Sequence, residues 1–102
     1  MLSVRLRQQA RDDLDTAAAY HDEHASHMTQ LFIDSYLAAP THIAQHPGTG
    51  SKKYATRPRL KGLRFWLLNN FPYAVFYVER ANQIEIVRVL HQSSDIPAHL
   101  QP

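Results

Sequence analysis

Apolar and polar positions change their period several times along the chain, and each change marks a new element. Leu2, Val4 and Leu6 alternate with Ser3, Arg5 and Arg7, the pattern of a strand with one buried face. The period then lengthens. Leu14, Ala17, Ala18, His21, Ala25 and Met28 fall on one helical stripe, with Asp12, Asp13, Asp15, Asp22 and Glu23 mostly off it. Acids near the start of that helix suit the positive end of its dipole. A second helical pattern follows at Leu31, Phe32, Ile33, Tyr36, Leu37 and Ile43, after a weak break at Ala25-Ser26-His27. Pro40 lies inside it, lacks a backbone donor and crowds the preceding turn, so a kink or interruption is expected there. Pro47-Gly48 ends the pattern.

Gly48 to Gly62 is poor in apolar residues and reads as a basic loop, long enough to need a role. Leu63 to Leu68 is of strand length, and Asn69-Asn70-Phe71-Pro72 turns the chain. Two apolar runs follow, Phe71 to Glu79 and Ile84 to His91, joined by Arg80-Ala81-Asn82-Gln83. They predict a β-hairpin. Ala74 to Val78 is apolar on both parities, as expected of a central strand covered on both faces. The helices can cover one face. Part of the other is left for a partner or a second copy. Ser94 or Asp95 can cap a short terminal helix, with Pro97 in its first turn. The expected architecture is α+β: an N-terminal strand, a helical hairpin, a three-stranded antiparallel meander and a short C-terminal helix. Residues 1–102 are expected to form a single domain.

Composition narrows the setting. Cysteine is absent, which removes any disulfide framework or thiolate chemistry and fits a reducing compartment. No segment has the apolar length to span a bilayer. A cytoplasmic protein without a membrane partner is expected. The net charge of +2 hides an asymmetry: residues 1–51 carry three basic and six acidic residues, residues 52–102 eight basic and three acidic. Lys52, Lys53, Arg57, Arg59, Lys61 and Arg64 follow one another with no acid between them. Such a cluster is either a solvated loop or the footprint of an anionic partner.

Several segments resemble the ParE/RelE superfamily of bacterial type II toxins, and the resemblance spans essentially the whole chain. They are Asp13-Leu14-Asp15-Thr16-Ala17 with Tyr20, Pro47-x-x-Gly50, Gly62-Leu63-Arg64, Phe71-Pro72-Tyr73-Ala74-Val75-Phe76-Tyr77 and Ile84 to His91. The most specific piece is Arg88-Val89-Leu90-His91 followed by Asp95. The family pattern places an arginine before that aspartate; Ser94 stands here instead. Pro40 also departs from the pattern. The resemblance implies a plasmid-stabilisation type toxin neutralised by a cognate antitoxin that usually carries a DNA-binding domain. ParE-type relatives poison DNA gyrase, whereas RelE-type relatives cleave messenger RNA on the ribosome, so the fold alone does not choose between them.

The residues themselves lean one way. A ribonuclease needs a base, an acid and cations for the developing phosphate charge. His91, Arg88 and Arg64 are the candidates, with Tyr73 or Tyr77 to stack on a base. RelE-type sites concentrate more lysines and arginines than these strands carry. Binding to DNA gyrase without catalysis is therefore expected, with no cofactor; RelE-type messenger RNA cleavage is the alternative, and Ser94 leaves open a degenerate toxin that binds only its antitoxin. His91 also has a structural reading, as a strand-end ring donating to a nearby carbonyl and holding the terminal turn. Arg88, flanked by apolar residues, needs an internal acid such as Glu79 or Asp95, or an opening onto the functional surface. His21, His24 and His27, and the pair His42 and His46, lack the further ligands a zinc site requires, so no metal is expected.

The expected surfaces follow. Arg88, His91 and Asp95 are assigned to the target, and removal of residues 95–102 is expected to abolish toxicity while sparing the fold. Arg57, Arg59, Lys61, Arg64, Tyr73 and Tyr77 are assigned to the antitoxin.

Overall fold

A computed structural model of the protein describes residues 2–100; the expectations for the full chain and its tail extend past these at Met1, Gln101 and Pro102. The order is β1 (Ser3–Leu6), α1 (Gln8–His24), a 3₁₀ turn (Ser26–Met28), α2 (Thr29–Gln45), β2 (Arg64–Leu67), β3 (Tyr73–Arg80), β4 (Gln83–His91) and α3 (Ile96–His99). The strands form one sheet in the order β1-β4-β3-β2. β1 runs parallel to β4, and β2, β3 and β4 form the antiparallel meander. The α+β architecture expected from the residue pattern is present.

β3 is central, and Ala74 to Val78 are all buried. The hairpin connector is shorter than expected. β3 and β4 extend to Arg80 and Gln83, leaving only Ala81 and Asn82 to turn, both with positive φ. That is the backbone of a two-residue type I′ turn, whose twist matches the flanking strands.

The helices cover one face. Ala10 and Ala17 are buried, and their small side chains let α1 lie close along β4. Ala25 and Met28 fall beyond the end of α1, because the weak break is where the chain leaves the helix. α1 begins at Gln8 with neither a side-chain cap nor an acid in its first turn, so the acids sit too far along to serve its dipole end. Pro40 does not divide α2. Phe32, Tyr36, Ala39, Ile43 and Ala44 pack on both sides of it, and that burial offsets the one backbone bond the proline removes.

The other face is covered by the chain itself, which corrects the expected need for a partner there. Leu63, Ala74, Phe76, Val78, Val87, Leu90 and Leu100 form a second cluster, closed by Tyr54, Leu60, Phe65 and Ile96. Tyr54 and Leu60 come from the basic segment, and Ile96 and Leu100 from the C-terminal turn. The segment is a series of tight turns. Ser51 pairs with Phe65 in both backbone directions, at 2.9 and 3.1 Å, and Gly62 N–H donates to Ala55 O at 3.0 Å.

Candidate functional site

β1 ends at Leu6 opposite Ile86, and Arg7 N–H donates to Ile86 O at 2.9 Å. Beyond that point no strand among the described residues lies beside the outer edge of β4. Phe76 faces Arg88 while Tyr77 faces Ile86, so Val87 is an extra residue and β4 is bulged there. Asp13 closes the gap. Its carboxylate accepts from Val89 N–H at 2.9 Å and from Arg88 Nε and Nη2 at 2.8 and 2.9 Å. Arg88 Nη1 donates to the His99 carbonyl at 3.0 Å. One guanidinium thereby ties α1, β4 and α3 together. The Asp13 hydrogen bonds push the Arg88 pKa further up, against a smaller opposing effect of burial. Neither Glu79 nor Asp95 supplies the neutralising acid; Asp13 does, because it sits on the buried stripe between Ala10 and Ala17 rather than off it.

β4 then delivers His91 to the mouth of a groove shared with Asp13, Thr16, Ala17, Tyr73, Arg88, Ser94 and His99. His91 does not donate to a carbonyl, as the structural reading had it. Its Nδ1 accepts from Ser93 N–H at 3.0 Å and lies 2.7 Å from Ser93 Oγ. An Nδ1 that accepts leaves the neutral ring's proton on Nε2. Ser94 N–H and Oγ both bond His91 O, so the residue standing in place of an arginine serves the turn. Tyr73 packs edge-on to His91 with ring centroids 5.1 Å apart; burial, with a smaller effect of Tyr20, raises its phenol pKa. Asp95 caps α3 by accepting from Ala98 N–H at 3.4 Å. Leu100 is 3% exposed, so removing residues 95–102 would open the second core cluster and release Arg88. The truncation is therefore expected to destabilise the fold.

Tyr77 requires a correction. It is 1% exposed, and its hydroxyl accepts from Gly50 N–H at 2.9 Å and donates to Pro47 O at 2.8 Å. It pins the exit of α2 and has no surface to offer an antitoxin or a base. Burial raises its pKa, partly opposed by the Gly50 donor. Arg64 is similarly engaged, with Nη1 donating to Gly48 O and Gly50 O at 3.2 and 3.1 Å. It does not line the groove with Arg88 and His91, so the three candidate catalytic residues do not converge. Of the other basic residues, Lys53 and Arg57 lie over the Tyr54 ring, at 5.4 and 5.7 Å from its centroid. Arg59 and Lys61 are exposed.

This sheet, with its helical hairpin on one face and a basic segment on the other, has relatives. Residues 4–96 match the family described as the ParE toxin of the type II toxin-antitoxin system, parDE. The chain belongs to the ParE toxin family. A structure described as the chromosomal ParDE toxin-antitoxin system from P. aeruginosa superposes with a TM-score of 0.74 at 17% identity, covering 89% of this chain and 96% of that one. The solution structure of the conserved hypothetical protein HP0894 from Helicobacter pylori superposes at 0.51 with 12% identity, covering 92% and 98%. No curated protein sequence gives a significant match.

Membership in the ParE family implies a cognate antitoxin as partner. No helix among the described residues is long and apolar enough to cross a membrane. Among those residues, no three His, Asp or Glu side chains gather to hold a metal. The helical histidines have other contacts: His21 and His24 bond the carbonyls of Ala17 and Tyr20, and His42 stacks on Trp66 at 4.4 Å. Sequence reasoning missed Asp13, Tyr54 and His99. Asp13 carried one readable signal, an acid spaced i+3 from Ala10 and i−4 from Ala17.

Proposed function

We propose that this ParE-family toxin arrests growth by binding DNA gyrase without catalysing a reaction of its own. The observation that carries this reading is that all three nitrogens of Arg88 are engaged internally. Its Nε, Nη1 and Nη2 are all donated internally, to Asp13 and to the His99 carbonyl. A guanidinium held this way is a poor stabiliser for a phosphate transition state. With Arg64 held elsewhere, the groove lacks the cationic set that RNA cleavage requires. The target surface is then the rim around His91 and the α3 turn, positioned by Arg88 and Asp95 and contacted through His91. Antitoxin binding falls to the basic segment, Arg57, Arg59 and Lys61, with Tyr73 on the opposite face of the sheet.

The deciding assay is DNA supercoiling by purified gyrase, with the toxin alone and with its antitoxin. Inhibition relieved by antitoxin is the expected result. Normal supercoiling beside growth arrest would sink the gyrase reading in favour of ribosome-dependent messenger RNA cleavage. One feature favours that second reading: His91, His99 and Arg88 line the same groove. No growth arrest on expression without antitoxin would mean that only antitoxin binding is retained.

A further inference from the structure

A second concavity adjoins the His91 groove, sharing Arg88 and His99 with it, where the basic segment meets β4 and α3. It holds about 310 Å³ and is lined by Arg7, Gln9, Arg59, Leu60, Val87, Arg88, His99 and Leu100. Its apolar wall of Leu60, Val87 and Leu100 belongs to the cluster on the second face of the sheet. Three arginines rim it, in three different states. Arg88 is committed to Asp13 and the His99 carbonyl. Arg7 holds Glu85 through a single carboxylate oxygen, at 2.7 and 3.1 Å, with its side chain 42% exposed. Arg59 is exposed, and no ion pair or hydrogen bond engages its side chain among the described residues.

We infer that this pocket takes one carboxylate of the antitoxin together with an adjoining aliphatic side chain, the carboxylate bridging Arg59 and Arg7 and the aliphatic group resting on Leu60, Val87 and Leu100. The inference rests on the toxin-antitoxin reading and adds the site and the chemistry of the contact. Charge selects the occupant. Against three arginines stand Asp13 and Glu85, which leaves one net positive charge, matched by a single carboxylate rather than by a phosphate backbone. No Phe, Tyr or Trp lines the pocket, and the single His99 imidazole offers no series of rings on which successive bases could stack. An aliphatic wall beside a free guanidinium instead suits a Glu or Asp next to Leu, Ile or Val, with a fork able to take both carboxylate oxygens. Glu85 is the internal competitor, since it already occupies Arg7.

The test uses the full chain in two titrations. In the first, N-acetyl-Leu-Glu-Leu amide and its Gln counterpart are added while backbone amide resonances are followed. The Glu peptide is expected to move Leu60, Val87 and Leu100, the Gln peptide to leave them in place, and Arg59→Glu to abolish the response. In the second, calorimetry with the antitoxin is expected to show Arg59→Glu weakening the complex by about tenfold or more. Glu85→Gln, which frees Arg7, is expected to tighten it several-fold. Lys53→Glu, in the same basic segment but outside the pocket, is expected to change affinity less than about threefold. The pocket assignment is overturned if both peptides act alike, if Lys53→Glu weakens the complex as much as Arg59→Glu, or if Glu85→Gln does not tighten it. It is also overturned if a short single-stranded oligonucleotide moves the same resonances at lower concentration than the Glu peptide, which would make the occupant a nucleic acid. Antitoxin binding that ignores Arg59→Glu removes the pocket and leaves the toxin-antitoxin reading standing. Failure of the unaltered chain to bind its antitoxin removes that reading, while the peptide titration still judges the pocket.

Discussion

Asp13 on α1 and Arg88 on β4 are joined by two charge-assisted hydrogen bonds of 2.8 and 2.9 Å, and the same carboxylate caps the Val89 N–H. Seventy-five residues of sequence separate them. The carboxylate does the work of a missing neighbouring strand. Asp13→Ala leaves a largely buried guanidinium and a strand N–H without partners, and is expected to lower stability by about 3 kcal/mol. Urea unfolding of the variant checks this. A change below about 0.5 kcal/mol would mean that the pair is solvated in solution.

Tyr36 is 7% exposed, and its buried hydroxyl has no hydrogen-bond partner among the described residues. Tyr36→Phe deletes an unsatisfied polar group and is expected to raise stability by up to about 1 kcal/mol at neutral pH. A loss of similar size in thermal or urea unfolding would contradict the absence of a partner.

The same residue sets an alkaline limit. Burial pushes the Tyr36 phenol up to about 12 from its ordinary 10.0, with Arg11 pulling weakly the other way. A folded pKa above the unfolded one favours the fold while the phenol stays neutral. That contribution is intact below about pH 10 and is lost as the pH climbs towards about 12. Unfolding free energies compared at about pH 8 and about pH 11 are expected to fall more in the unaltered protein than in Tyr36→Phe. Equal losses would assign the alkaline transition to other groups, with Tyr77 next in line because burial also raises its pKa.

Gly50 permits the contact that fixes Tyr77. A Cβ there would lie 2.7 Å from the Tyr77 hydroxyl oxygen and 2.8 Å from Phe65 O, whereas one at Gly48 would meet nothing within 4 Å. Gly50→Ala is expected to cost about 2 kcal/mol or more, and Gly48→Ala less than about 0.5 kcal/mol. Similar midpoints for the two variants in urea unfolding would argue that the Pro47–Gly50 turn yields freely.

The hairpin turn leaves room for improvement. Ala81 and Asn82 have φ of 50° and 61°, and alanine carries a steric cost in that region. Ala81→Gly is expected to add about 0.5–1 kcal/mol. No gain in thermal unfolding would show that the added freedom of the unfolded chain cancels the relief.

The sequence by itself determined the local elements and their order. Alternation marked β1, helical spacing marked α1 and α2, and the doubly apolar run at Ala74 to Val78 marked the central strand, because backbone period and burial are written residue by residue. It also marked Asp95 among the possible caps of α3, since a cap is a contact between near neighbours. Tertiary structure alone decided the partners. Tyr77 read as an antitoxin contact until the α2 exit turn folded over it, and nothing in the basic segment's sequence showed that Tyr54 and Leu60 anchor it to the sheet. Arg88 needed an acid, which sequence proximity sought in Glu79 or Asp95, and the crossing of α1 over β4 supplied Asp13 instead. Local pattern reports which side of an element is buried. Which residue meets it there depends on how the elements pack, and those contacts join residues far apart in the chain.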